Sequence, residues 1–349
     1  MSVLPENDPL DPYESISQAE PDSYDREPGD EWPPKESIIM VPLTDAQNSF
    51  PEINDFQTPD ELPSLEPQLV HSWDQPVIHR HSRIPNLGHL GILAILTVFG
   101  WIGAGLLSLA ALHFHLFGIS SVQKAMTDVH YTLGSMIVLY LVTFFASLIV
   151  FPLLWDKSFF DGIQWNGTAA LHVRFQLFGA AFVCFIFALL NGWLMPGPDN
   201  TPIDQIFRAP GAAWLLFVFG ITAAPFFEEL LFRGFLLPAL CTAYDWTTEK
   251  ITHQPAAPLD ENGHPQWSMI SMAVASILTS IPFALMHAEQ TGYSLGPFLL
   301  LVCVSLVLCW ARLSTRSLAA SVFVHASYNC LLFSFMLLGT EGFRHLDKM

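Results

Sequence analysis

YTLGSMIVLYLVTFFASLIVFPLLW, residues 131–155, runs for 25 positions without an Asp, Glu, Lys or Arg. About 20 apolar residues wound as an α-helix cross the ~30 Å hydrocarbon layer of a bilayer, so this stretch spans a membrane with residues to spare. Lipid offers no partner to open backbone groups, which leaves the helix as the form such a segment takes. Runs of the same kind lie near Leu87–Phe117, Phe175–Met195, Gly211–Leu240, Ser268–His287, Leu295–Ala311 and Ser317–Leu338. The expected fold is therefore all-α, a polytopic membrane helix bundle of about seven spans. No internal repeat is evident, which argues against an inverted-repeat transporter.

Composition agrees with that pattern. Of 349 residues, 51% are hydrophobic and 13% charged, against about 25% charged in ordinary soluble domains. The mean hydropathy is +0.39. The formal net charge of −18 is unevenly spread, with 18 acidic residues against 4 Lys or Arg in residues 1–84. This first segment is punctuated by Pro5, Pro9, Pro12, Pro21, Pro28, Pro33 and Pro34. It is expected to be a disordered acidic arm, because it cannot bury enough apolar surface to offset the entropy of ordering. One apolar patch within it, Ser37–Leu43, could dock on a partner. The transmembrane domain is expected over residues 85–340, with a short tail at 341–349. No basic stripe exists to neutralise phosphates, so nucleic acid is excluded as a partner.

Further expectations follow from the span ends. No signal peptide is read at the N-terminus, so the first span is expected to drive insertion. Arg80 and Arg83 precede that span and only Lys124 follows it, which puts the arm in the cytoplasm by the positive-inside rule. Residues 156–174 mix Phe159, Phe160, Ile163 and Trp165 with Asp156, Lys157 and Asp161, the composition of an interfacial segment. Residues 241–267 read as a solvated connector. Cys184, Cys241, Cys303, Cys309 and Cys330 lie in or beside apolar runs without a CxxC pair, and are expected to act as small buried apolar residues rather than a disulfide framework.

Chemistry concentrates in three spans. The fourth contains Pro225-Phe226-Phe227-Glu228-Glu229-Leu230-Leu231-Phe232-Arg233-Gly234. Each charge at a helix centre costs about 2.5–3.5 kcal/mol on insertion scales, so three unpaired charges would cost ~8–10 kcal/mol. They must be paired, hydrated, or both. Glu229 and Arg233 are four residues apart and stack on one helix face as an ion pair. Glu228 is turned ~100° away and is left as the freer carboxylate, a candidate base. Pro225 removes a backbone donor and is expected to kink the helix. The fifth span places Pro282 before His287. The seventh places His325 and Asn329 one turn apart on the same face. A lone intramembrane histidine is more often an interhelical hydrogen-bond partner than a catalyst. Acid, imidazole and amide groups on three spans in this order leave little room for that reading.

These residues resemble the CAAX prenyl protease and bacteriocin-processing (CPBP) family of intramembrane peptidases. The family pattern is Glu-Glu-x-x-x-Arg, Phe-x-x-x-His and His-x-x-x-Asn on successive helices. Glu228, Glu229 and Arg233 match the first element, Phe283 and His287 the second, and His325 and Asn329 the third. The similarity covers about residues 170–338. It implies endopeptidase cleavage of a membrane-associated peptide or protein substrate, as in CAAX-box protein processing. It also implies that Glu228 and His287 activate water, that His325 and Asn329 stabilise the oxyanion, and that Glu229 and Arg233 support them.

Metal-free glutamate chemistry is the preferred expectation. Zinc is the alternative, with Glu228, His287 and His325 as ligands to an open site. Two rival functions carry their own signatures. A catalytically idle scaffold or bacteriocin-immunity factor would keep its effect without Glu228. A proton or ion relay transporter would lose coupled flux and never cut a peptide. The expected location is the bacterial inner membrane, in contact with the lipid bilayer.

Overall fold

The structure, a computed structural model, describes residues 83–195, 207, 212–256, 258–260 and 263–343. The acidic arm up to residue 82, including the Ser37–Leu43 patch, and the last residues of the C-terminal tail lie outside them. The long helices are α1 (Leu87–His113), α2 (Val129–Trp155), α3 (Arg174–Leu194), α4 (Ala212–Ile221), α5 (Ala223–Glu229), α6 (Leu237–Thr252), α7 (Met269–Met286), α8 (Leu295–Thr315) and α9 (Leu318–Gly339). A π-helical turn, Leu230–Leu236, joins α5 to α6. Among the described residues there is no strand, only an isolated bridge between Leu259 and Pro265.

Six of these helices are long and apolar enough to cross a membrane, and the bent chain from α4 through α6 makes a seventh. The protein is an integral, multi-pass membrane protein. Large apolar side chains cover its outside, among them Trp101, Leu106, Ile149, Leu153, Phe175 and Trp193. An exposed apolar surface of this extent belongs against lipid.

The helices start where local chemistry supplies caps. Asn86 and His89 form a reciprocal capping box at α1, Asp128 accepts from two N–H groups of α2, and Ser268 accepts from Ser271 at α7. Packing then follows two centres. Helices α1 and α2 pair as a hairpin, closest at Gly100, where an added Cβ would stand 2.6 Å from Thr143 Oγ1 and 2.9 Å from the Leu139 carbonyl. Helices α3, α7, α8 and α9 share a second core that includes Leu177, Phe283, Leu308, Val324 and Tyr328.

The fourth span kinks, as Pro225 predicts, and two other expectations need correction. The span bends by 41° where α4 meets α5, because Pro225 has no N–H for the Ile221 carbonyl. The break therefore falls at Thr222, one turn before the proline. This span also continues as α6 to Thr252, so the connector is shorter than residues 241–267. Of the cysteines, Cys184, Cys241 and Cys309 are buried but Cys303 and Cys330 are exposed, and all five are free. The apolar runs that hold these two present them on outward helix faces, which lipid tolerates as well as a core does.

Candidate active site

Four elements build the site. Helix α5 ends in Glu228 and Glu229, the π turn carries Arg233, α7 terminates on His287, and α9 contributes His325 and Asn329. Glu229 and Arg233 are fully buried. Arg233 Nη1 donates to Glu229 Oε1 at 2.9 Å, as the four-residue spacing predicts. Arg233 Nη2 reaches across to α8, donating to Ser305 Oγ at 2.5 Å and to the Ser305 carbonyl at 3.0 Å. Its guanidinium also sits 4.6 Å from the centroid of the Phe283 ring, a favourable cation–π distance.

Phe283 thus has a physical task. Its ring underlies Arg233 and lies 5.0 Å from the His287 ring and 5.9 Å from the His325 ring, centroid to centroid. One aromatic residue on α7 is the floor for three charged or polar groups from three elements.

The histidine tautomers follow from their partners. His287 Nδ1 lies 2.9 Å from the Phe283 carbonyl, which can only accept, so Nδ1 carries the proton. His325 Nδ1 lies 2.9 Å from Glu229 Oε1, the oxygen that already accepts from Arg233, and is assigned as the donor for the same reason. In the neutral rings both Nε2 atoms then present lone pairs. They face one atom, Glu228 Oε2, at 3.6 Å from His287 and 3.8 Å from His325. Glu228 Oε2 is buried and has no direct hydrogen bond. Three acceptors thus converge at separations longer than a direct hydrogen bond, the spacing at which a bridging donor belongs.

The structure therefore brings Glu228, Glu229, Arg233, His287 and His325 together. It treats Asn329 differently. One turn beyond His325, Asn329 Nδ2 donates to the Gly220 carbonyl at 2.7 Å, beside the break between α4 and α5. The amide nitrogen carries a second N–H. Gly220 is itself constrained, since an added Cβ would stand 2.7 Å from the Phe333 ring.

Sequence reasoning missed three neighbours. Tyr140 of α2 stacks on Phe227 at 4.5 Å between centroids, closing one side of the site. Ser305 shares Arg233 with Glu229. Arg312, fully buried, donates from Nε to the Arg233 carbonyl. Only Arg312 had a signal, a charge at the end of an apolar run. Tyr140 and Ser305 look like any other residue of their spans. A polar cavity of about 800 Å³ lies elsewhere, lined in part by Lys157, Asp161, Gln164 and His264, and contains no residue of the three motifs. There, burial holds the His264 imidazole below its ordinary range, and Lys157 adds to the effect.

Among the described residues, no three His, Cys, Asp or Glu side chains form a group ready to hold a metal ion. Glu228, His287 and His325 come nearest by chemistry. Both rings present Nε2 and are fixed through Nδ1, the outer bonding that orients a histidine toward a metal.

Residues 210–331 match the family model described as Rce1-like, type II CAAX prenyl endopeptidase. The matched segment contains all the motif residues, from Glu228 to Asn329. No curated protein and no solved structure matches the chain.

Proposed function

Taking the Rce1-like domain at residues 210–331 as its premise, we propose that this protein is an intramembrane endopeptidase in which Glu228 activates water against a peptide bond of a membrane-associated substrate. The observation that carries the reading is the convergence on Glu228 Oε2 of two imidazole Nε2 atoms whose Nδ1 positions are already engaged. Such a cluster holds water by acceptors on several sides and lets the carboxylate remove its proton. General-base catalysis of this kind contributes about 10²–10⁴-fold. His287 fixes the water, and the bond to the Phe283 carbonyl keeps its ring aimed.

As the tetrahedral intermediate forms, the carbonyl oxygen becomes an oxyanion and needs donors. Asn329 supplies the amide N–H not engaged by Gly220. The proton that Glu228 takes from water passes to His325 Nε2, and the Nε2–H so formed donates to the oxyanion while Glu229 holds the ring through Nδ1, much as a buried acid orients the histidine of a serine-protease triad. Loss of one such donor costs about 2.7–4 kcal/mol of barrier lowering. Arg233 holds Glu229 in place. On collapse of the intermediate the same proton returns by way of Glu228 to the leaving amine, which restores the Nε2 lone pair of His325.

Zinc would use Glu228, His287 and His325 as ligands and would supply Lewis acidity and a more acidic water. We favour the metal-free form. With Glu228 as a ligand, Glu229 would be the other nearby base, and its Oε1 is already shared by Arg233 and His325. A strong chelator should therefore leave the purified, active protein unchanged. Inactivation with release of stoichiometric zinc would reverse the choice.

We further propose that the N-terminal arm is cytoplasmic and that the host membrane is a bacterial inner membrane. The deciding experiment compares peptide termini in membranes of cells carrying the wild type with those carrying Glu228→Gln. Termini present only with the wild type give the activity and the cleavage site together. Identical termini, with both proteins inserted and folded, would overturn the peptidase.

A further inference from the structure

Arg312 lies in the last turn of α8, is 1% exposed, and makes both of its hydrogen bonds to backbone carbonyls. A cation in a last helical turn is favoured by the helix dipole. That preference is met equally well at the surface and does not explain burial without a carboxylate, which carries a large desolvation cost.

The explanation lies in the π turn. Along a helix, the Arg233 carbonyl can accept from residue 237 or, in the π register, from residue 238. Leu237 donates its N–H to the Phe232 carbonyl, five residues back. Residue 238 is Pro238 and has no N–H to give. The π turn and the proline together strip the Arg233 carbonyl of both backbone donors, deep in the bundle. Buried carbonyls without partners are rare because each carries the penalty of lost hydration. Arg312 Nε fills this one at 3.2 Å, and Arg312 Nη2 reaches the Ile163 carbonyl at 3.4 Å. One guanidinium therefore ties the backbone of Arg233 to the segment that follows α2.

We propose that Arg312 is a positioning residue for the catalytic cluster: by replacing the donor missing at Pro238, it holds the π register that aims Arg233 at Glu229. The chain of contacts is short. The Arg233 side chain grips Glu229, Glu229 grips His325, and His325 faces Glu228. A shift of the Arg233 backbone moves every member. The proposal rests on the peptidase reading for its catalytic consequence, and the π-turn geometry stands apart from that reading.

The test restores the missing backbone donor. Arg312→Met keeps bulk and removes both hydrogen bonds. Pro238→Ala adds an N–H within reach of the Arg233 carbonyl. Two readouts are taken on the full chain: the yield of Glu228-dependent peptide termini in membranes, and the ¹⁵N shift of His325 Nδ1 in detergent-solubilised, histidine-labelled protein, which reports the bond to Glu229. Arg312→Met should lower the yield by about 10- to 100-fold, the scale of a small misplacement of catalytic groups, and should move the His325 signal. Pro238→Ala alone should change both little. The double variant should recover the His325 signal and most of the yield.

A double variant as impaired as Arg312→Met would overturn the proposal, since a residue that only fills volume is not rescued by a distant N–H. An unchanged His325 signal in Arg312→Met would overturn it as well. Should Arg312→Met fail to accumulate, Arg312→Lys takes its place; its single ammonium cannot bridge both carbonyls, and the same rescue is required. If no termini depend on Glu228 at all, the peptidase reading fails while the His325 signal still judges Arg312.

Discussion

Helices α1 and α2 cross the bilayer without one Asp, Glu, Lys or Arg. They meet through the close approach at Gly100 and one hydroxyl pair, Ser108 to Ser135 at 2.6 Å. The half of the bundle around Glu228 crosses the same layer with two acids, two arginines and two histidines inside it. All of these groups but Glu228 are hydrogen-bonded to a partner on a different element or a different turn. Between apolar helices in lipid there is no hydrophobic drive to associate, so the hairpin relies on fit and a single polar contact. In the half around Glu228 the polar contacts keep charges soluble in the bundle, and under the proposed mechanism the same contacts align the reacting groups. Under that mechanism, stability and function are separable in the hairpin and inseparable around Glu229.

The largest effect that would sharpen this contrast is chemical. Glu228→Gln should abolish substrate-dependent cleavage, a loss of about 10²–10⁴-fold, and leave the thermal unfolding midpoint in detergent nearly unchanged, since Glu228 Oε2 makes no direct hydrogen bond. Next comes Arg233→Ala, which takes from the buried Glu229 its guanidinium partner and leaves only His325 on its Oε1. Breaking a buried pair on one side costs about 3–5 kcal/mol, so this variant should lose both folded yield and activity, unlike Glu228→Gln.

A smaller change is expected at the break between α4 and α5. Gly220→Ala would press a methyl group against the Phe333 ring, with an overpacking cost of about 1–3 kcal/mol. It would also displace the carbonyl that orients Asn329, so turnover should fall further than stability does. The smallest effect belongs to the hairpin. Ser108→Ala removes one interhelical hydrogen bond, worth about 0.6 kcal/mol on average in membranes, and should leave the pattern of peptide termini untouched. A Ser108→Ala protein that lost cleavage while staying folded would break the division between the two halves.

Much of this could be read from residue order. Run length marks the spans, because bilayer thickness and helix rise are both fixed. The pairing of Glu229 with Arg233 follows from four-residue spacing, and so does the shared face of His325 and Asn329. The proline ahead of Glu228 correctly signalled a bend. Its position was less legible: the missing donor frees a carbonyl four residues back, so the bend falls at Thr222 rather than at Pro225. The continuation of the fourth span to Thr252 was hidden by the polar composition of α6, which leaves the apolar pattern before the helix ends.

The amino-acid sequence, by itself, determined which segments are helical and which polar side chains share a helix face, since those relations repeat within a single helix and need no partner. Tertiary structure alone decided that Phe283 lies under Arg233, that Ser305 and Arg312 serve the π turn, that the two imidazoles turn their Nε2 atoms toward one oxygen of Glu228, and that Asn329 is held by Gly220. These contacts join residues tens of positions apart. Their geometry depends on the rotation and depth of one helix against another, which packing sets and no local spacing encodes.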